Sequence, residues 1–167
     1  MTPAAEPTPN QQSIGELLAA FLASRREQII ADCLASVERD PKLKASDNLN
    51  PSQLRDHLPQ LLDKLSQTLC DAFSKDLKDQ AAGTAAAHGH IRWNEHYDVS
   101  QLLREFAHLR SSLIHYLVEF QAHNESTGAS WLFAATVAHR FLDDAVRTSV
   151  EELLATDKRS KREPNVA

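Results

Sequence analysis

Between Asp98 and Phe120 the chain reads DVSQLLREFAHLRSSLIHYLVEF, and the spacing of its apolar residues decides the fold class. Val99, Leu102, Phe106, Leu109, Leu113, Leu117 and Phe120 recur every three or four residues, with Leu103 beside them. That spacing lays one stripe along a helix and is incompatible with the alternation of a strand. Asp98 stands three residues before Gln101, so each side chain can satisfy a free amide of the other's end of the first turn. The segment predicts a helix from Asp98 to about His123, ended by NESTG at Asn124–Gly128.

The same period extends in both directions. A last helix is expected over Ala129–Thr156 on Trp131, Ala135, Ala138, Leu142, Ala145, Ser149 and Leu153. Phe133, Val137 and Phe141 give it a second apolar edge, suited to a homodimer contact. Upstream, residues 78–95 form a helix whose face Ala82, Ala86 and Gly89 is small enough for the closest helix contact of the domain. Before it, Leu54, Leu58, Leu61, Leu62, Leu65, Leu69 and Phe73 define a helix starting near Pro51. Pro59 either kinks that helix or opens a new one after a short helix at 52–57. The first helix is expected at the capping pair Ser13 and Glu16, on a stripe from Ile14 to Val37 that Arg25 and Arg26 interrupt. Those arginines either snorkel past the core edge or pair with a buried acid. DPKLKASDNLNP (40–51) is a polar loop.

The expectation is an all-α fold: an antiparallel bundle of four long helices with one or two short extra helices. A globin-like arrangement satisfies the same periodicities. Residues 1–12 are expected to be disordered, 13–156 to form the helical domain, and 157–167 to be a basic flexible tail or linker. At 167 residues the chain fits one domain. Its four glycines are too few and wrongly placed for a phosphate loop or a dinucleotide fold. A net charge of −5 gives no electrostatic case for nucleic acid. No apolar run approaches the roughly 20 residues of a membrane helix, and MTPAAEPTPNQQ lacks the features of a signal peptide. Cys33 and Cys70, at no ligand spacing, are expected to be buried reduced thiols in a cytoplasmic protein.

The chemistry concentrates at His88–Arg110, HGHIRWNEHYDVSQLLREFAHLR, which holds four of the eight histidines. His88 and Arg92 share one helix face. Folding back at His96-Tyr97-Asp98 would bring Arg92 to Glu105 as a bidentate, charge-assisted pair, with His88 one turn deeper, Trp93 and Tyr97 flanking the turn, and Leu109 and Arg110 further along. Such a group is either a hydrogen-bonded clasp that fixes helix register or the wall of a small pocket that senses a ligand. Metal is disfavoured, because no two of these histidines stand at i, i+3 or i, i+4 and no cysteine is near. His90, His108 and His115 are assigned to solvated faces. Phosphotransfer through His88 is opposed by its close-packed alanine neighbours, and no glycine elbow or Cys–His pair supports nucleophilic catalysis.

His-x3-Arg, an aromatic turn, and V-x-x-L-L-R-E-F-x-x-L-R resemble the N-terminal helical domain of RsbRD-type RsbT co-antagonist proteins, which also precedes many sensor histidine kinases. The resemblance rests on His88, Arg92, Tyr97, Leu102, Leu103, Glu105, Leu109 and Arg110, with softer echoes at Leu54–Leu69 and Phe141–Val146. It covers about 13–156. It implies a cytoplasmic, non-enzymatic sensory or regulatory input domain, without cofactor, that acts on a kinase, PAS or STAS output module in cis or trans. A haem- or metal-binding sensor bundle and a histidine phosphotransfer domain are the alternatives. One departure stands out: the family often has glycine before the turn aromatic, and here that residue is His96.

Overall fold

The computed structural model describes residues 9–72, 74–124 and 128–162. Its helices are α1 (Pro9–Ser24), α2 (Arg26–Glu38), α3 (Pro51–Arg55), α4 (Leu58–Cys70), α5 (Lys75–Asn94), α6 (Val99–His123) and α7 (Gly128–Arg162), with a 3-10 turn at Ser46–Asn48. The described residues contain no strand, and the all-α expectation holds. No described helix is long and apolar enough to cross a membrane.

Local chemistry accounts for most boundaries. Asp98 and Gln101 form the reciprocal cap of α6, with Asp98 Oδ1 accepting from the Gln101 amide at 2.8 Å. Asn50 and Gln53 do the same for α3, and Pro59 occupies the first turn of α4, so the proline opens a helix rather than kinking one. Ser74 caps α5, three residues before the expected start. The first helix begins at Pro9, not at Ser13, which lies a turn inside it; proline needs no amide partner in a first turn. Residues 9–12 are therefore helical, while 1–8 lie outside the described residues.

At the other end α7 runs on to Arg162, where a tail was expected, because Lys161 pairs with Asp157 at 2.6 Å and Arg159 with Glu152 along the helix surface. The rest of that tail, 163–167, lies outside the described residues.

Arg25 sits at a bend between α1 and α2, its amide shared between the Phe21 and Leu22 carbonyls at 3.0 and 3.2 Å. The bend sends Arg25 to Glu119 on α6 (2.8 Å) and Arg26 to Asp63 on α4 (3.1 Å). Both arginines thus pair, with acids that stay partly in solvent. The following loop is anchored by fully buried Leu43.

Cross-helix contacts fix the directions. Gly15 lies against Leu69 while Arg26 reaches Asp63, so α1 and α4 run antiparallel. Asp40 bonds His108 while Asp32 accepts from the Tyr116 hydroxyl at 2.8 Å, so α2 and α6 do too. Arg110–Asp143 and the stacked rings of Phe120 and Trp131 set α6 against α7 in the same sense. The most extensive pairing, α5 with α7, is parallel: the Ser149 hydroxyl donates to the Ala85 carbonyl at 2.7 Å, and further along both helices His90 meets Thr156 at 3.4 Å. Two reversals, at the α5–α6 and α6–α7 turns, return α7 to the direction of α5, and small residues let the two touch.

That contact uses Ala85 and Gly89, both buried, whereas Ala82 is exposed and Ala86 is half-buried. A Cβ at Gly89 would press into the Ser149 backbone, with its Cα only 2.9 Å away. Gly83 has open space around it. Cys33 is buried and Cys70, at the end of α4, is exposed; both are free thiols. Phe141, expected on an outer edge, is buried, with Phe133 and Val137 half-buried beside it.

Gly89→Ala is expected to destabilise the protein by about 2 kcal/mol or more through backbone overlap, while Gly83→Ala stabilises it by roughly 0.5–1 kcal/mol through helix propensity. Urea unfolding midpoints of the two variants check both signs.

Candidate functional site

The turn between α5 and α6 builds the site. Glu95 caps α5, the His96 amide donates to Trp93 O at 3.0 Å, and the Tyr97 amide donates to Arg92 O at 2.9 Å. This pair of bonds closes a helix end on a left-handed residue, and His96 takes that conformation with φ 65°. A histidine therefore occupies the position where glycine is favoured, and the chain turns sharply enough to swing Tyr97 inward, where it is 3% exposed.

Arg92, one turn before the end of α5, is completely buried. Its Nε donates to Glu105 Oε2 at 2.8 Å and Nη2 to Oε1 at 2.6 Å, the expected bidentate pair. Nη1 donates to Glu95 Oε2 at 2.5 Å and to Gln53 O at 3.2 Å, and Nη2 also reaches Leu54 O at 2.9 Å. The guanidinium lies over the Tyr97 ring, 5.2 Å from its centroid. One side chain thus joins α3, α5 and α6. Burial alone would lower the Arg92 pKa, but the Glu105 carboxylate and its hydrogen bonds outweigh it and hold the group cationic. Burial pushes the Glu105 carboxyl up, and Arg92 pulls it back toward the ionised form.

His88 lies one turn deeper, as expected, at 1% exposure. Its ring meets Phe106 edge-on at 5.3 Å and His57 at 5.9 Å, and its Nε2 is 3.8 Å from Glu105 Oε2, too far for a hydrogen bond. Burial, then the charge of Arg92, then His57 hold the His88 pKa well below the ordinary histidine value, so the ring is neutral. Cys33 of α2 closes the cluster from below, its thiol pushed up to about 12 by burial and then by Glu105. Three buried polar atoms here, His88 Nδ1, His57 Nε2 and the Tyr97 hydroxyl, have no hydrogen-bond partner among the described residues. His57 Nε2 is 3.4 Å from Asp56 Oδ2, but without hydrogen-bond alignment. Each such atom costs on the order of 1–3 kcal/mol.

The fold therefore brings together His88, Arg92, Tyr97 and Glu105. Leu109 is ordinary buried core at 2% exposure. Arg110 points away, to Asp143 on α7 at 2.5 Å, because it lies five residues beyond Glu105 and so on another face. Trp93 is half-buried on the side of α5 that faces α7, where it lines a recess with Leu153, Leu154 and Asp157. Of the histidines assigned to solvent, His90 and His115 are exposed. His108 is not: its Nε2 bonds Asp40 Oδ2 at 2.7 Å, and Arg104 reaches the same oxygen at 2.5 Å. The His108 bond, an amide bond from Lys42 and Arg104 lower the Asp40 pKa to about 2.

Sequence spacing missed Glu95, Cys33, His57 and the α3 carbonyls. Glu95 was findable as the i+3 neighbour of Arg92; the others come from distant elements. Among the described residues no three His, Cys, Asp or Glu side chains are placed to share a metal ion. Compared with protein-family models, curated proteins and solved structures, the chain has no significant match to any.

Arg92→Met is expected to cost about 3–5 kcal/mol by stranding a buried carboxylate, and Arg92→Met combined with Glu105→Leu to recover more than half of it. Chemical denaturation of the two variants decides this; a double variant no better than the single one removes the pair as the source.

A pH dependence follows from His88. The unfolded chain binds a proton near pH 6.5 that the native ring refuses, so the neutral ring's contribution is complete above that pH. It is lost on acidification, by about 1.4 kcal/mol per pH unit. His88→Gln should remove that increment from the slope of unfolding free energy against pH below about 6.5; identical slopes would contradict it.

Proposed function

We propose that this chain is a non-catalytic, cytoplasmic sensory or regulatory input domain of the RsbRD type, acting on a kinase, PAS or STAS output module. The observation that carries the reading is the buried Arg92–Glu105 clasp, which falls on the residues of the resemblance and holds α3, α5 and α6 through one side chain. A clasp of this kind has two discrete states, because a buried guanidinium is either fully satisfied or strongly destabilised. The unpartnered nitrogens of His57 and His88 beside it raise the energy of the closed state, which narrows the gap to an open one. A ligand or partner that binds only the open arrangement would shift the population and move α6 against α5. The signal would leave through α7, whose residues 158–162 continue as an exposed helix.

Homodimerisation belongs to the same reading. With Phe141 buried, its apolar surface would come from Ile114 and Val118 on α6 and Leu132 on α7, which are 43%, 59% and 66% exposed. Neither alternative gains from the geometry. A phosphoryl donor cannot reach His88 at 1% exposure, and the nitrogens of His57 and His88 are enclosed by protein.

The test joins Arg162, in continuous helical register, to a histidine kinase core and measures autophosphorylation. Arg92→Lys and Glu105→Gln are expected to shift output severalfold. Leu65→Ala, a core substitution costing about 2–5 kcal/mol, should leave it unchanged while the fusion stays folded. Equal responses from all three variants would reduce the clasp to a structural element.

A further inference from the structure

The parallel helices α5 and α7 come into close backbone contact where Gly89 meets Ser149. Toward the start of α5, residues of both helices line a groove of about 550 Å³, within the ~300–1,000 Å³ of small-molecule sites. Ala81 and Ala82 of α5 line one side and Phe133, Val137 and Phe141 of α7 the other, with Thr68 of α4 and Ala72, just past its end, also lining it. The groove is separate from the Arg92 clasp and shares no residue with it.

Its rim is charged, and the charges are unequally committed. Arg147 is engaged by Asp144 at 3.1 Å and Glu151 at 3.3 Å. Lys78, Asp79 and Arg140 complete the rim. Arg140 is exposed at the mouth, and its side chain makes no hydrogen bond or ion pair among the described residues. An apolar slot that ends at an uncommitted guanidinium is complementary to a molecule with an apolar body and one anionic head: the walls take the body out of water, and the planar guanidinium receives the head by paired hydrogen bonds.

We propose that the α5–α7 groove is a binding site for an amphipathic monocarboxylate, its apolar part between the alanines of α5 and the aromatic edge of α7, its carboxylate on Arg140. The occupant would wedge the two helices apart beside the Gly89–Ser149 contact, one residue from His88. Binding itself does not depend on the regulatory reading above.

The full chain is titrated with decanoate and, as a charge control, with decylamine, by calorimetry. Decanoate is expected to bind saturably at one per chain, and decylamine about tenfold more weakly or not at all. Arg140→Glu should weaken decanoate by about tenfold or more, and Ala82→Trp should abolish its binding by filling the slot. Both positions are exposed, and unchanged melting curves show that the variants fold. The proposal is overturned if decanoate does not saturate, or if both probes bind alike and ignore Arg140→Glu, which marks a generic apolar sink. It is equally overturned if the groove proves to be buried between copies of the chain, seen as a concentration-dependent dimer that decanoate neither enters nor dissociates. None of these outcomes bears on kinase output, so this proposal and the regulatory one fail separately.

Discussion

A guanidinium with no contact to solvent imposes the central constraint on this protein. Arg92 is always charged, so every donor it carries must find an oxygen inside the fold. It does so from Glu105, Glu95 and the carbonyls of Gln53 and Leu54. Those acceptors explain several otherwise odd features. The short helix α3 presents the Gln53 and Leu54 carbonyls to Arg92, and Gln53 O accepts the Asp56 amide as well. The α5–α6 turn is tight enough to force His96 into a left-handed backbone, since a looser turn would carry Glu105 out of reach. The core near the turn tolerates Tyr97 because the cation gives its ring a partner.

How far this was legible in the sequence depends on whether a feature is local. The α6 cap and the Arg92–Glu105 pair follow from short spacings and were readable, whereas Pro59 left a kink and a helix start equally open until the structure placed it in the first turn of α4. The pair was readable because a hairpin of two helices leaves residues near the turn only one geometry. The register of the α5 contact was misread by one position. In a run as uniformly small as AAGTAAAHG (81–89) the apolar moment is nearly flat, and the real face, Ala85 and Gly89, was set by where the Ser149 backbone approaches. That α5 packs chiefly on α7 was not legible either, since helical periodicity carries no information on which non-consecutive helices meet.

The histidines show the same division. Five of the eight lie between His88 and His115 (His88, His90, His96, His108 and His115), and composition alone invited one shared role. The fold separates them: His88 is sealed in the clasp, His108 ties the loop at Asp40 to α6, and His96 serves as a turn residue. His57, which spacing gave no reason to associate with the others, is the one that stands against His88. It gets there because α3 and α4 meet at His57 and α4 runs antiparallel to α5, so the start of one lies over the end of the other.

Two mechanical elements emerge that lie next to each other in the chain. The Gly89–Ser149 contact sets the backbone of α5 directly against that of α7, because Gly89 has no side chain to hold them apart. The Arg92 clasp, one turn further, fixes the end of α5 to α3 and α6. A ligand that opened α5 from α7 at the groove end would act on that contact first and on the polar clasp beyond it. Helix bundles without such a lock deform by small, graded shifts of interdigitated side chains. Here the fully bonded donors of Arg92 and the unpartnered atoms of His57, His88 and Tyr97 sit side by side. The balance between those two sets, rather than the size of any cavity at the clasp, is what would make this end of the bundle responsive.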